Sequence, residues 1–387
     1  MNKRNLLLGL VIATTFIGGF FSGVLFTTNN GQQDRSKTIK IKQQPSSAIK
    51  PKQKAIPKLN QETSKVLIGY VQDYRDPNVV DYSKLTHVIF SFAHPKVDGG
   101  ILLNGDSALK NLRAVVIKAK KYNTKVMLAV GGWYNIQGGE SYKYFKTAIS
   151  IPASRTKLSN ELAGIADREK LDGIDIDFEY PRTTVDAQNL TAFTKQLSGM
   201  LHSKGKELSM AVYSKINAAT GTEMAAVKYE PSMFQLVDHV NIMAYDGQWD
   251  GKYDAANLSP YPFAEKIVNY WSHLFETHNL PKDKLVLGVP LYAQPENQAI
   301  KQASYGAIIN QNPANAESDT VTMNGTIYHY NGEATMRKKT KLALDNGFGG
   351  MMMWEAGQDA KGSNSITETI AAALKDSASQ YAVKAAK

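Results

Sequence analysis

The 387-residue sequence contains no cysteine. Disulfides, thiol nucleophiles, cysteine-ligated metals and a lipid anchor on cysteine are therefore excluded. Export is not, because a chain of this length can build a core without cross-links. Histidine is scarce as well, with seven residues, of which none stands at metal-ligand spacing. His87 and His239 are accordingly read as structural, and neither a metal nor a cofactor is expected. The later part of the chain also lacks an excess of charge. The formal +10 comes mostly from residues 1–65, where eleven bases face only Asp34 and Glu62. The other 34 bases are balanced by 33 acids, so composition implies no nucleic-acid face on the folded part.

The amino-terminal segment does have a long apolar run. Lys3 and Arg4 precede 23 uncharged residues, Leu6 to Thr28. About 20 such residues span a membrane, whereas a signal-peptide core needs about 7–15. No A-x-A-like site follows, so residues 1–28 are expected to be a membrane anchor in preference to a cleaved signal peptide. The cationic start stays in the cytoplasm on either reading, leaving the rest extracytoplasmic, anchored or secreted. Residues 29–64 are rich in Lys, Gln, Ser and Pro and hold no aromatic residue, the composition of a basic disordered linker.

From residue 65 to 387 one large domain is expected. Eight short apolar runs read as strands: Val66–Val71, Thr86–Ala93, Lys125–Val130, Gly173–Phe178, Leu208–Tyr213, Val237–Ala244, Leu285–Leu291 and Phe348–Trp354. Helix-period stretches lie between most of them, at Ser107–Tyr122, Ser154–Glu169, Asp186–Ser203, Phe263–Thr277 and Glu333–Asn346, with a last one from Ile366 to Lys375. The first connection and Asn217–Pro231 are less regular. Eight buried strands alternating with helices imply an α/β fold of the (β/α)8 TIM-barrel type. A doubly wound sheet would want a glycine-rich phosphate loop after an early strand, but Gln72-Asp73-Tyr74 stands there. Barrel chemistry sits at the carboxyl ends of the strands.

The fourth strand ends Asp172-Gly173-Ile174-Asp175-Ile176-Asp177-Phe178-Glu179-Tyr180-Pro181. Side chains alternate along a strand, so Ile174, Ile176 and Phe178 share one face and Asp175, Asp177 and Glu179 the other. The apolar face belongs against helices, which turns the acids into the barrel. Three crowded carboxyls cannot all ionise, so at least one proton is retained near neutrality. A proton kept by Glu179 can be passed to a leaving oxygen. A calcium loop would want a central glycine and a turn-rich stretch, not Ile, Ile and Phe between the acids.

The run Asp172-Gly173-x-Asp175-x-Asp177-x-Glu179 resembles the signature of glycoside hydrolase family 18, the chitinases and related endo-β-N-acetylglucosaminidases. Gly69-Tyr70, His87–Ala93, Lys125–Trp133, Met243-Ala244-Tyr245-Asp246, Lys284–Tyr292 and Gly349–Trp354 resemble further strand markers of that family, in the right order, over roughly Val66 to Leu374. The resemblance implies a retaining, substrate-assisted mechanism, a recognised exception to the two-carboxylate scheme. Glu179 would be acid and then base. Asp177 would bind the substrate acetamide, Asp175 would share a proton with Asp177, and Tyr245 would donate to the acetamide oxygen. Asp246 would hold the sugar and Trp354 would be the floor beneath it. Tyr70, Gly132 and Met243 would line the pocket, and Trp133 and Trp249 could stack on neighbouring sugars. Asp172 is expected only to shape the strand.

Chitin or a chito-oligosaccharide is the substrate so implied; peptidoglycan and the N-glycan core are alternatives with the same chemistry. A non-catalytic glycan-binding barrel is the reading from another class, and retention of Asp175, Asp177, Glu179 and Tyr245 weighs against it. A monomer is expected, with the membrane met only through the amino-terminal helix. Many family members insert a sizeable subdomain after the seventh strand. Here Ala293–Gly332 leaves room for one hairpin around Asn324-Gly325, which suggests an open cleft and endo cleavage.

Overall fold

The structure is a computed structural model that describes residues 65–385, with side chains to residue 376. The run Leu6–Thr28 and the linker at 29–64 lie outside the described residues. Among the described residues no helix is long and apolar enough to cross a membrane.

The elements in chain order are β1 (Val66–Gln72), β2 (His87–Pro95), β3 (Ile101–Leu102), α1 (Gly105–Ala119), β4 (Lys125–Gly131), α2 (Ser141–Ser150), α3 (Pro152–Arg168), β5 (Gly173–Asp177), α4 (Thr184–His202), β6 (Glu207–Tyr213), β7 (His239–Met243), α5 (Tyr261–Thr277), β8 (Leu285–Pro290), β9 (Tyr292–Pro295), β10 (Ala303–Ser304), α6 (Tyr305–Gln311), β11 (Thr320–Met323), β12 (Thr326–His329), α7 (Glu333–Asp345), β13 (Gly350–Trp354) and α8 (Ile366–Ala385). Strands β1, β2, β4, β5, β6, β7, β8 and β13 pair in parallel, and β1 pairs with both β2 and β13. The sheet is thus a closed barrel of eight strands with helices outside it, the (β/α)8 architecture expected from the periodicity. Closure leaves the barrel no open edge.

Alternation along each strand builds two layers. The outward side chains, among them Ile174, Ile176 and Phe178 of β5 and its extension, join one large apolar cluster with Leu190, Phe193, Leu197 and Leu201 of α4. Burying each such side chain contributes about 1.5–3 kcal/mol. The inward side chains form a smaller apolar cluster, Ile68, Tyr70, Ile89, Met127, Ala129, Tyr245, Val286 and Met352. Most apolar burial therefore lies outside the barrel, and its interior can hold polar groups without unfolding it.

Local signals fix the segment behind β5. Helix α4 opens with a capping box in which Thr183 accepts from the Asp186 N–H and Asp186 accepts from the Thr183 N–H. This satisfies two orphan amides and ends the extended stretch that carries Glu179. Two connections differ from the alternation: β1 to β2 holds only turns, and β6 to β7 holds a single 3-10 segment, Pro231–Leu236.

The structure departs from expectation in two places. Helix α2 was not anticipated, although Phe145, Ala148 and Ile149 bury one face of it; Pro152 at the start of α3 separates the two helices. The insertion after β8 is also larger than one hairpin. The Asn324-Gly325 turn is present, with both residues at positive φ as a two-residue hairpin demands. Its strands β11 and β12 nevertheless belong to a four-stranded antiparallel sheet with β9 and β10, accompanied by α6. The lone-hairpin expectation failed because β9 and β10 are four and two residues long, too short to show a period.

Candidate active site

The carboxyl ends of the barrel strands carry the anticipated acids. Asp175 is fully buried inside the barrel. It accepts hydrogen bonds from Tyr70 of β1 at 2.8 Å, Ser209 of β6 at 2.5 Å and Asn241 of β7 at 3.3 Å. Asn241 also donates to the Tyr70 hydroxyl at 3.1 Å. Burial pushes the Asp175 carboxyl up to about 6, and these three donors restrain the rise.

Asp177 is buried, and its Oδ1 has no hydrogen-bond partner among the described residues. Burial, with Glu179 and Asp175 beside it, pushes this carboxyl well up. Glu179 lies one strand step further, partly exposed at the mouth. Its carboxyl is pushed up to about 8, by burial first and then by Asp246. The trio therefore faces inward, and its outermost member keeps a proton at neutral pH. Asp172 instead points away and accepts from the Val126 N–H at 2.8 Å, a strand-tying contact.

The paired glycines at the end of β4, Gly131 and Gly132, have a steric reason. The Gly132 N–H donates to the Asp177 carbonyl at 2.9 Å. A Cβ on Gly131 would lie 2.0 Å from that oxygen, and Gly131 and Gly132 both take positive φ. Only glycine allows so close an approach of backbone to backbone.

After β7 the chain turns through Asp246, which holds positive φ. Its carboxylate accepts from Tyr292 at 2.5 Å and Gln248 at 3.0 Å, while burial pushes its pKa up. Tyr245 is buried, and its hydroxyl meets only the Met352 sulfur at 3.9 Å, a weak acceptor. Burial, followed by the charges of Asp246, Asp177, Glu179 and Asp175, raises the phenol pKa, so it remains a donor. Trp354 at the end of β13 is half-buried, 5.7 Å between ring centroids from Tyr70 and 5.8 Å from Phe92, on which it stacks. Met243 is partly buried and packs against the inner cluster. Trp133 stands on a loop and Trp249 ends the short 3-10 turn Gly247–Trp249; they are 53% and 60% exposed, open enough to stack on a ligand. Asp175, Asp177, Tyr245 and Trp354 thus share the inward side of one barrel end, beneath Glu179.

Several partners were not foreseen. Ser209 and Asn241 hold Asp175, Tyr292 and Gln248 hold Asp246, and Phe92 backs Trp354. The signal was present for two of them. Ser209 and Asn241 are polar residues in the middle of the apolar strands LSMAVY and HVNIM, where a buried polar group needs a partner. Tyr292 sits in a motif quoted above, but its reach to Asp246 depends on the fold.

Comparison with known proteins agrees with this fold. Chitinase 1 of Aphanocladium album is 26% identical over 359 residues, covering 77% of this chain and 82% of that protein. Among solved structures, the family 18 chitinase of the chitin utilization locus of Flavobacterium johnsoniae superposes with a TM-score of 0.66 at 25% identity, covering 81% of this chain and 95% of its own. A chitinase from Bacteroides thetaiotaomicron gives the same TM-score and identity, covering 80% and 96%. Residues 66–359 match the Glycosyl hydrolases family 18 description, and the chain belongs to that family of glycoside hydrolases.

Proposed function

We propose that this chain hydrolyses the β-1,4 linkage that follows an N-acetylglucosamine unit in chitin or chito-oligosaccharides, with retention at the anomeric carbon and endo cleavage. One observation carries the reading. Asp177 Oδ1 is a buried acceptor without a partner, and the Tyr245 hydroxyl is a buried donor facing only sulfur. A single acetamido group satisfies both, its N–H on Asp177 and its carbonyl oxygen on Tyr245. Leaving a buried polar atom unsatisfied costs about 1–3 kcal/mol, so an occupant that pairs with it is favoured.

The reaction then runs in two steps. The acetamide oxygen attacks C1 of the sugar lying over Trp354. The C1–O bond to the leaving sugar breaks, and that oxygen takes the proton of Glu179. Asp177 hands its own proton to Asp175 and accepts the amide N–H, which stabilises the cationic oxazolinium ring. Glu179, now a carboxylate, removes a proton from water as the water attacks C1 and reopens the ring. Two inversions leave the original configuration.

Asp246, Tyr70, Met243 and Gly132 shape the reactive subsite, and Trp133 and Trp249 serve the flanking ones. Residues 1–28 tether or export the enzyme, residues 29–64 space it from the membrane, and residues 65–387 act outside the cell.

The protonation states give a pH profile. Glu179 must hold its proton and Asp175 must be able to take one. kcat/KM is expected to be bell-shaped, falling below about pH 6 as Asp175 becomes protonated and above about pH 8 as Glu179 ionises. A profile flat from pH 7 to 9.5 would remove Glu179 from the acid role.

Product analysis tests substrate and stereochemistry together. Chitin, peptidoglycan and a high-mannose glycopeptide are offered separately. Soluble β-1,4 N-acetylglucosamine oligomers of mixed length are expected from chitin by mass spectrometry, with the β-anomer appearing first by proton NMR. Dimers alone from the earliest times would overturn endo cleavage, and release only from peptidoglycan or glycopeptide would move the substrate.

A further inference from the structure

The opposite mouth of the barrel holds a second polar cluster. His87, Lys125, Glu207 and His239 are the first residues of β2, β4, β6 and β7. Strand alternation fixes where they face. Ile89, Met127, Ser209 and Asn241 lie two residues further on and point into the barrel. Their predecessors therefore point inward too and form the bottom layer of the lumen.

Ligand atoms of His87, Glu207 and His239 all lie within 4.8 Å of one another. Glu207 divides its carboxylate. Oε1 faces Lys125 Nζ, and Oε2 lies 2.9 Å from His87 Nε2. The His239 ring stands edge-on to His87, with centroids 5.1 Å apart, and its Nδ1 is buried with no hydrogen-bond partner among the described residues. Behind His87, the Thr86 hydroxyl is 2.8 Å from Nδ1 and 3.1 Å from the Leu67 carbonyl. That pair can fix the ring in the tautomer that frees Nε2: Nδ1–H donates to Thr86, and Thr86 donates to Leu67. Such a relay is what orients metal-bound imidazoles.

We propose that this mouth binds a divalent transition-metal ion, zinc by the chemistry of its donors, through His87, His239 and Glu207 Oε2. Two imidazoles and a carboxylate with water as a fourth ligand suit zinc, whose ligands stand about 3.3 Å apart in a tetrahedron. To reach that spacing the His87–Glu207 pair, at 2.9 Å, has to open by about 0.4 Å, and the other pairs, which lie within 4.8 Å, have to close by at most about 1.5 Å. Lys125 is half-exposed and on the other carboxylate oxygen, so it opposes the ion without blocking the position. The ion would link β2, β6 and β7 at the end remote from Glu179, where barrel residues serve stability.

The test uses the full chain, stripped with EDTA and titrated with zinc chloride by calorimetry, with melting followed in parallel. One saturable site is expected, and at about a hundred times Kd the midpoint should rise by roughly 4–8 °C, with kcat on chito-oligosaccharides unchanged. His239→Ala should weaken binding at least tenfold and abolish the shift. Lys125→Met, which removes only the competing cation, should tighten it several-fold. Absence of a saturable site, or equal affinity in wild type and both variants, would show a hydrogen-bonded plug or adventitious surface ions instead.

Discussion

Replacing Glu179 with Gln is expected to lower kcat by about 10²–10⁴-fold and leave KM for a chito-oligosaccharide almost unchanged, the usual worth of a positioned general acid. Glutamine keeps the shape of the side chain but carries no transferable proton. The wild-type group holds that proton at neutrality because its pKa stands near 8. Binding is expected to be spared because Asp177 and Tyr245, the proposed acetamide partners, remain. The same variant has a thermodynamic signature. A carboxyl whose native pKa is raised keeps a proton that the unfolded chain has released, so stability declines as pH climbs from the ordinary carboxylate range near 4 to about 8. Glutamine removes that decline. Its melting temperature should match wild type at pH 4 and exceed it at pH 9. Steady-state kinetics and calorimetry read both effects, and undiminished kcat would end the assignment.

Asp177→Asn should slow turnover by about 10²–10³-fold, comparable to the loss of a preorganised partner of transition-state charge. Asparagine can turn an NH2 toward the substrate amide, setting donor against donor, and it cannot carry the negative charge that steadies the oxazolinium ring. Folding should survive. Asp177 Oδ1 makes no hydrogen bond among the described residues, and removing this carboxyl relieves Asp175 and Glu179 of a crowded neighbour. The expected result is a slow enzyme that melts no lower than wild type at pH 8. A variant whose kcat stays within threefold of normal would contradict it, as would a collapse in melting temperature.

The barrel was readable because each of its strands is buried on both sides and leaves a run of apolar residues. The inward face of the acids could be read because Ile174, Ile176 and Phe178 had to pack outward, and they do. What escaped was short or distributed. Strand β9 is buried throughout, and β10 has two residues, so neither shows alternation. The hold on Asp175 comes from Tyr70, Ser209 and Asn241, residues 105, 34 and 66 positions away, which no local window joins. The His87–Glu207–His239 group escaped for the same reason. Metal-ligand spacing is a rule about neighbours in sequence, and barrel closure makes neighbours of residues more than a hundred apart.

The seam between β1 and β13 has a consequence for timing. Tyr70 belongs to the first barrel strand and Trp354 to the last, and their rings meet only when those strands zip together. A growing chain thus carries Asp175, Asp177 and Glu179 well before it carries Trp354. A chain still short of residue 354 therefore has an open sheet and no indole beside Tyr70.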